Sequence, residues 1–226
     1  MSALLLGSIS TVADTSELQR QAFNQAFETH GLDWRWDRDD YRAMLSTSGG
    51  QDRIAGYARS RGEDVDTKAI HETKSKIFRE LLATAGLAPR PGVADTIKAA
   101  KDRGWKVGLV TTTSRANVAA LLGRLHPQVG DQDFDVIVDS SSVGSPKPDP
   151  AAYVFALQAL NEAPGDCVAV EDNVDGVLAA VAAGVPCVAF PNENTGQHDF
   201  SGAAKRVGRL DFAGLQSLTA GRQEAR

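Results

Sequence analysis

Five short apolar runs punctuate the chain, at residues 3–6, 107–110, 135–138, 167–170 and 187–190. Each is too short for a helix and lacks the polar alternation of a half-exposed strand, so each reads as a strand buried on both faces. Amphipathic stretches between them give βα units around a parallel sheet. Between the first two runs the spacing changes. Roughly 100 residues pass with no comparable run, while Leu18, Ala22 and Ala26, then Ile70, Ile77 and Leu81, recur at helical spacing. Asp14-Thr15-Ser16 offers a helix N-cap at the start of this stretch, and Ala88-Pro89-Arg90-Pro91-Gly92 stops a helix at its end. The expected fold is therefore α/β: a parallel-sheet core from residues 1–14 and 92–226, with a helical cap domain inserted at residues 15–91.

Composition narrows the function classes. The 226 residues carry 24 Lys+Arg and 29 Asp+Glu, a net charge of −5, with 42% hydrophobic and 23% charged residues. Disorder, collagen and coiled coil are excluded. No apolar run approaches the roughly 20 residues that span a bilayer, and residues 3–6 are too few, without a basic flank, for a signal peptide. A cytoplasmic location with no membrane partner is expected. The insert is charge-neutral, so the acidic surplus belongs to the sheet half, and no basic stripe favours nucleic acid. A monomer is expected. Cys167 and Cys187 lie in apolar runs, where a buried reduced thiol outweighs a disulfide.

Chemistry in an open α/β sheet gathers beyond the carboxyl ends of the strands. After the second strand comes Thr111-Thr112-Thr113-Ser114-Arg115, whose hydroxyls and N–H groups at a helix N-terminus suit a phosphate. Next, Gly144-Ser145-Pro146-Lys147-Pro148-Asp149-Pro150 holds a single lysine between prolines; it reads either as an aimed cation or as a rigid surface turn. Glu171-Asp172-Asn173 follows the fourth strand, ahead of Gly176 and a helix of small residues; it reads as a site for a hard cation or as a solvated helix cap.

The order and spacing of these loops resemble the haloacid dehalogenase (HAD) superfamily, in its phosphoglycolate phosphatase and β-phosphoglucomutase-like branch. Residues 32–38, Ser48-Gly49-Gly50-Gln51-Asp52-Arg53-Ile54, Thr111 to Ser114 and His198-Asp199-Phe200 look like the CbbY type. The resemblance covers nearly the whole chain. It implies a Rossmann-like core, a xylulose-1,5-bisphosphate phosphatase or near relative, Thr111 and Thr112 as phosphate ligands, and Lys147 as the cation on the transferring phosphoryl group. It also implies Mg²⁺ held by Asp172, with Glu171 assisting through water.

The family's first motif, Asp-x-Asp-Gly-Thr after an apolar run, is degenerate: the segment reads Leu6-Gly7-Ser8-Ile9-Ser10-Thr11. The family's nucleophile falls on Gly7 and its acid/base on Ile9, so nucleophile, proton donor and one metal carboxylate are lost together. Removing a nucleophile alone costs on the order of 10⁴ to 10⁶ in rate. Ser8 is a poor replacement because Ile9 is no base, and Asp14 is the other candidate base. The expectation is an impaired phosphatase that binds a phosphorylated small molecule or an inorganic anion, with Mg²⁺ weak at Asp172 and Glu171; the alternative is an active phosphohydrolase on a small sugar phosphate. Substrate contacts on the cap fall to Glu17, Gln19, Gln51, Arg53 and Lys74. Gln19 stands where the CbbY type has histidine, and Gln51 where relatives carry a basic residue. Lys74 and Lys76 read equally as a solvated helix face. Trp34 and Trp36 read as packing. His30, His71 and His126 lack metal-ligand spacing, and no Gly-x-Ser-x-Gly elbow is present.

Overall fold

Six strands form one sheet in the order β3-β2-β1-β4-β5-β6, every pair parallel: β1 Ala3–Leu6, β2 Lys106–Val110, β3 Val136–Val138, β4 Cys167–Glu171, β5 Cys187–Ala189 and β6 Lys205–Arg206. This computed structural model describes residues 2–45 and 49–219. The five expected strands are present within a residue or two at their ends. The sixth, two polar residues on the edge, has no apolar run to announce it.

Side chains alternate cleanly across the sheet. Leu4, Leu6, Val107, Leu109, Val168 and Val170 face one apolar cluster with helices α6 (Val93–Asp102), α7 (Arg115–Leu125) and α10 (Phe212–Gln216). Ala3, Leu5, Val110, Cys167 and Ala169 face the other, with α8 (Ala151–Leu160) and α9 (Val174–Ala182). Runs that are apolar on every residue follow from this burial on both faces. Both cysteines are buried and free. Gly92 enters α6 at φ +82, and a Cβ there would run into the Leu210 backbone.

A helical turn α1 (Ile9–Val12) follows β1, closed by a capping box between Ser8 and Thr11. Four helices then precede α6 and β2: α2 (Ser16–Thr29), α3 (Arg38–Met44), α4 (Gly50–Arg61) and α5 (Thr67–Thr84). They enclose an aromatic core in which Trp34 and Trp36 are buried among Phe23, Phe27 and Tyr41. Phe78 and Leu82 of α5 belong instead to the sheet's cluster. No helix among the described residues is long and apolar enough to cross a membrane.

Candidate functional site

The sheet register decides what meets at its carboxyl edge. Leu6 pairs with Leu109 on one side and Val170 on the other, so Gly7, Val110 and Glu171 leave the sheet at one level. β1 lies where the strand order reverses, between β2 and β4, which is where open α/β sheets bind ligands.

A cleft of about 360 Å³ opens above this edge, beneath the inserted helices. The sheet side contributes Ser10, Thr112, Thr113, Ser114, Asn117, Asp172 and Asn173. Two helix N-termini border it: Ser114 caps α7 and Asn173 caps α9. The helical side contributes Gln19, Tyr41, Gln51, Arg53, His71 and Lys74. Gln19, Gln51, Arg53, Lys74 and Thr112 all line this cleft. Ser48 lies outside the described residues.

Five expectations need correction. Lys147 is not offered to a ligand. It is 5% exposed and donates to the carbonyls of Gly7 and Val110 (2.7 Å) and to Glu171 Oε1 (2.6 Å). An ammonium has three protons, and all are taken. Thr111 is buried with its hydroxyl oxygen accepting the Thr113 N–H at 3.2 Å, leaving Thr112, Thr113 and Ser114 as the hydroxyls of the wall. Glu17 is outside the wall, its carboxylate held by Arg20 at 2.5 Å. Lys74 is not a solvated residue but buried, whereas Lys76 is exposed. Asp14 lies outside the cleft wall, its Oδ1 accepting from Ser16 (N–H 3.0 Å, hydroxyl 2.6 Å) and its Oδ2 from the Glu193 N–H.

Glu171 explains Lys147. Its carboxyl group is fully buried, with Oε1 also accepting the Tyr153 hydroxyl at 2.8 Å and Oε2 without a partner among the described residues. A Cβ built on Gly7 would collide with the Glu171 carboxyl and the Tyr153 hydroxyl, and one built on Gly176 would collide with the same carboxyl. The side chain of Glu171 therefore fills the room that two glycines leave, and completes a closed network with Lys147 and Tyr153. Burial raises the pKa of Glu171 above the usual carboxylate range against the pull of Lys147, and raises that of Tyr153 well above 10.0.

Asp172 is equally engaged. Oδ1 accepts from Ser8 Oγ (2.7 Å) and Asn173 Nδ2 (3.0 Å), and Oδ2 from Asn192 Nδ2 (2.7 Å). Asn192 is held in turn by the Asn194 and Thr195 N–H groups. Asn192 and Thr195, missed by the loop-by-loop reading, carry one available signal: Asn192-Glu193-Asn194-Thr195 directly follows the fifth apolar run and is rich in residues that bond their own backbone. The pairing of Ser8 with Asp172 also corrects the reason for setting Ser8 aside, since a base does lie beside it.

The charges on the helical side are strongly shaped by burial. Desolvation, then the nearby Arg53, lowers the Lys74 pKa to about 7. Desolvation, then Lys74, lowers His71 to about 4. Tyr41 is pushed up to about 12, chiefly by burial.

This sheet order, with a cleft between its reversal point and an inserted helical segment, meets the comparisons with known proteins at the same place. The chain belongs to the haloacid dehalogenase-like hydrolase family, whose profile matches residues 8–184. Protein CbbY of Rhodobacter capsulatus is 38% identical over 221 residues, 96% of this chain and 97% of that protein. The crystal structure of CbbY from Rhodobacter sphaeroides in complex with phosphate superposes with a TM-score of 0.87 at 39% identity, covering 95% of this chain and 99% of that one. A mutant of the same CbbY, in complex with xylulose-(1,5)bisphosphate, gives the same values.

The family's Mg²⁺ does not fit the donors present. A hard cation needs several oxygen ligands at about 2.0–2.1 Å. Gly7 has no side chain, Ile9 is apolar, both oxygens of Asp172 accept from protein donors, and of Glu171 only Oε2 is without a partner among the described residues. Among the described residues no group of three or more His, Cys, Asp or Glu could hold a metal. In this arrangement the expected pair Asp172 and Glu171 offers one unpartnered carboxylate oxygen, Glu171 Oε2.

Proposed function

We propose that this chain is a catalytically impaired member of its family, a pseudophosphatase that binds a phosphorylated small molecule, a sugar phosphate by similarity to CbbY, in the cleft beneath a cap of residues 15–91. One observation carries the reading. The position that the resemblance assigns to the nucleophile is a glycine whose side-chain space is filled by Glu171 and Tyr153. No carboxylate stands there to form an acyl phosphate, and the Glu171 carboxyl that fills its space is fully buried, with Oε1 bonded to Lys147 and Tyr153. Binding rests on other groups. The cleft keeps two helix N-termini and the hydroxyls of Thr112, Thr113 and Ser114 on one side, with Arg53, Lys74, Gln19 and Gln51 opposite.

One observation favours the alternative, an active phosphohydrolase: the Ser8 hydroxyl donates to Asp172 at 2.7 Å. The same oxygen, however, accepts the Thr11 N–H at 3.1 Å as a helix cap, and Ser8 is not part of the cleft wall.

Phosphate release from p-nitrophenyl phosphate and xylulose 1,5-bisphosphate with Mg²⁺, beside calorimetry with the bisphosphate, tests the proposal. Heat of binding without release above the protein-free rate is the expected result. A turnover of about 1 s⁻¹, low for an enzyme, would overturn the first half, and absence of binding at millimolar ligand the second.

A further inference from the structure

Lys74 is the unusual group of the cleft. It borders the cavity, yet is 5% exposed, with its amino nitrogen 4.6 Å from the centre of the Phe23 ring and 5.1 Å from that of Phe78. Among the described residues its hydrogen-bond partner is the Gln19 side-chain oxygen. Among the described residues no carboxylate compensates it. Gln19 accepts one N–H but has no charge with which to hold an ammonium, and the ionisable neighbours are Arg53 on α4 and His71 one turn back on α5. An amine placed this way keeps its lone pair.

We propose that Lys74 is a carbonyl-capturing amine, and that the cleft takes phosphorylated aldehydes or ketones as a reversible imine on this side chain. The inference rests on the reading of the cleft as the site for a phosphorylated small molecule, and adds the bond that holds it. The amine's lone pair attacks the carbonyl carbon, forming C–N as the C=O π electrons move to oxygen. A proton passes from nitrogen to that oxygen to give a carbinolamine, whose hydroxyl then leaves as water to give C=N. Nothing is oxidised or reduced. With its pKa at about 7, roughly half of Lys74 is free amine at neutral pH, against well under one per cent of an ordinary lysine. Arg53, whose Nε donates to the Met44 carbonyl at 3.0 Å, and the hydroxyl wall opposite line the same cleft and supply its anion-directed side.

Borohydride trapping tests this on the unmodified protein. Glycolaldehyde phosphate is added near pH 7, borohydride reduces any imine to a stable secondary amine, and peptide mass mapping locates it. Labelling of Lys74 at least about tenfold above Lys68 and Lys76 of the same helix is expected from the free-amine fractions, with a pH midpoint near 7, loss of that adduct in Lys74→Met, and slower labelling by unphosphorylated glycolaldehyde. Labelling spread evenly over the three lysines, or appearing only above about pH 9 as for ordinary amines, would overturn the proposal. Equal rates with and without the phosphate would overturn its phosphorylated ligand class. Sorbitol 6-phosphate, which has no carbonyl, separates the two readings by calorimetry. Heat of binding without a Lys74 adduct removes the imine and leaves the cleft's function standing; no heat and no adduct removes both.

Discussion

At position 7 the absence of a side chain is a packing fact before it is a chemical one. Glu171, Tyr153 and Lys147 close over the glycine, so Gly7→Asp must push a buried carboxyl aside and set a second carboxylate against it. Overpacking alone costs about 1–3 kcal/mol, and Gly7→Asp is expected to lower unfolding stability by at least that much in urea denaturation. Glu171→Ala is expected to cost about 3–5 kcal/mol, because it leaves the Lys147 ammonium buried and uncompensated. Combined, the two changes exchange one partner of Lys147 for another, so the double variant should lose less than the sum of the singles by at least about 1 kcal/mol. Strict additivity would show that Glu171 and residue 7 do not compete for one space. None of this was legible from the spacing of Gly7, Lys147 and Glu171 along the chain. Which atom a lysine reaches depends on what its spatial neighbours leave unpaired, and that follows from the register of β1 against β2 and β4.

Elements were legible where burial is uniform. β1 and the inner residues of β2 and β4 (107–110 and 167–170) lack polar side chains because each has a packed layer on both faces. β6, two polar residues at the sheet edge, and the capped turn α1 have no such pattern and emerge only from pairing and capping. Helix α5 shows how an element can mislead: Lys74 follows His71 by one turn on the cleft side, although helical spacing alone reads equally as a solvated face. Its protonation has a stability signature. A lysine titrates near 10.5 when unfolded and Lys74 at about 7 when folded, so across that window the unfolded chain binds the proton that the folded chain has released. Stability contributed through Lys74 therefore rises with pH from about 7 to about 10.5. Lys74→Met removes the cost of burying the charge and is expected to stabilise most at or below neutral pH, with the gain shrinking as pH rises toward 10.5. Denaturation midpoints of both proteins across this range check it; a gain independent of pH would place the ammonium in solvent. His71 acts at the other end, because a folded pKa of about 4 against 6.5 withdraws stability as pH falls through that interval.

Taken as a whole, the molecule keeps the family's scaffold and cleft while Asp172 and Oε1 of Glu171 accept from protein donors. Ligand binding should therefore be indifferent to divalent cations. Calorimetric affinity for xylulose 1,5-bisphosphate is expected to be the same in EDTA and in millimolar Mg²⁺; a tenfold gain with Mg²⁺ would mean that Asp172 gives up Ser8 and Asn192 for the ion. The filled space beside Gly7 also bears on history. An aspartate restored at position 7 alone is expected to lower stability, because the Glu171 carboxyl and the Tyr153 hydroxyl occupy its side-chain space. Loss of Glu171 first leaves a buried ammonium stranded, so either order passes through a poorer protein. The packing thus acts like a pawl on a ratchet: a side chain put back at residue 7 and the Glu171 carboxyl compete for one space, so one cannot settle there unless the other shifts.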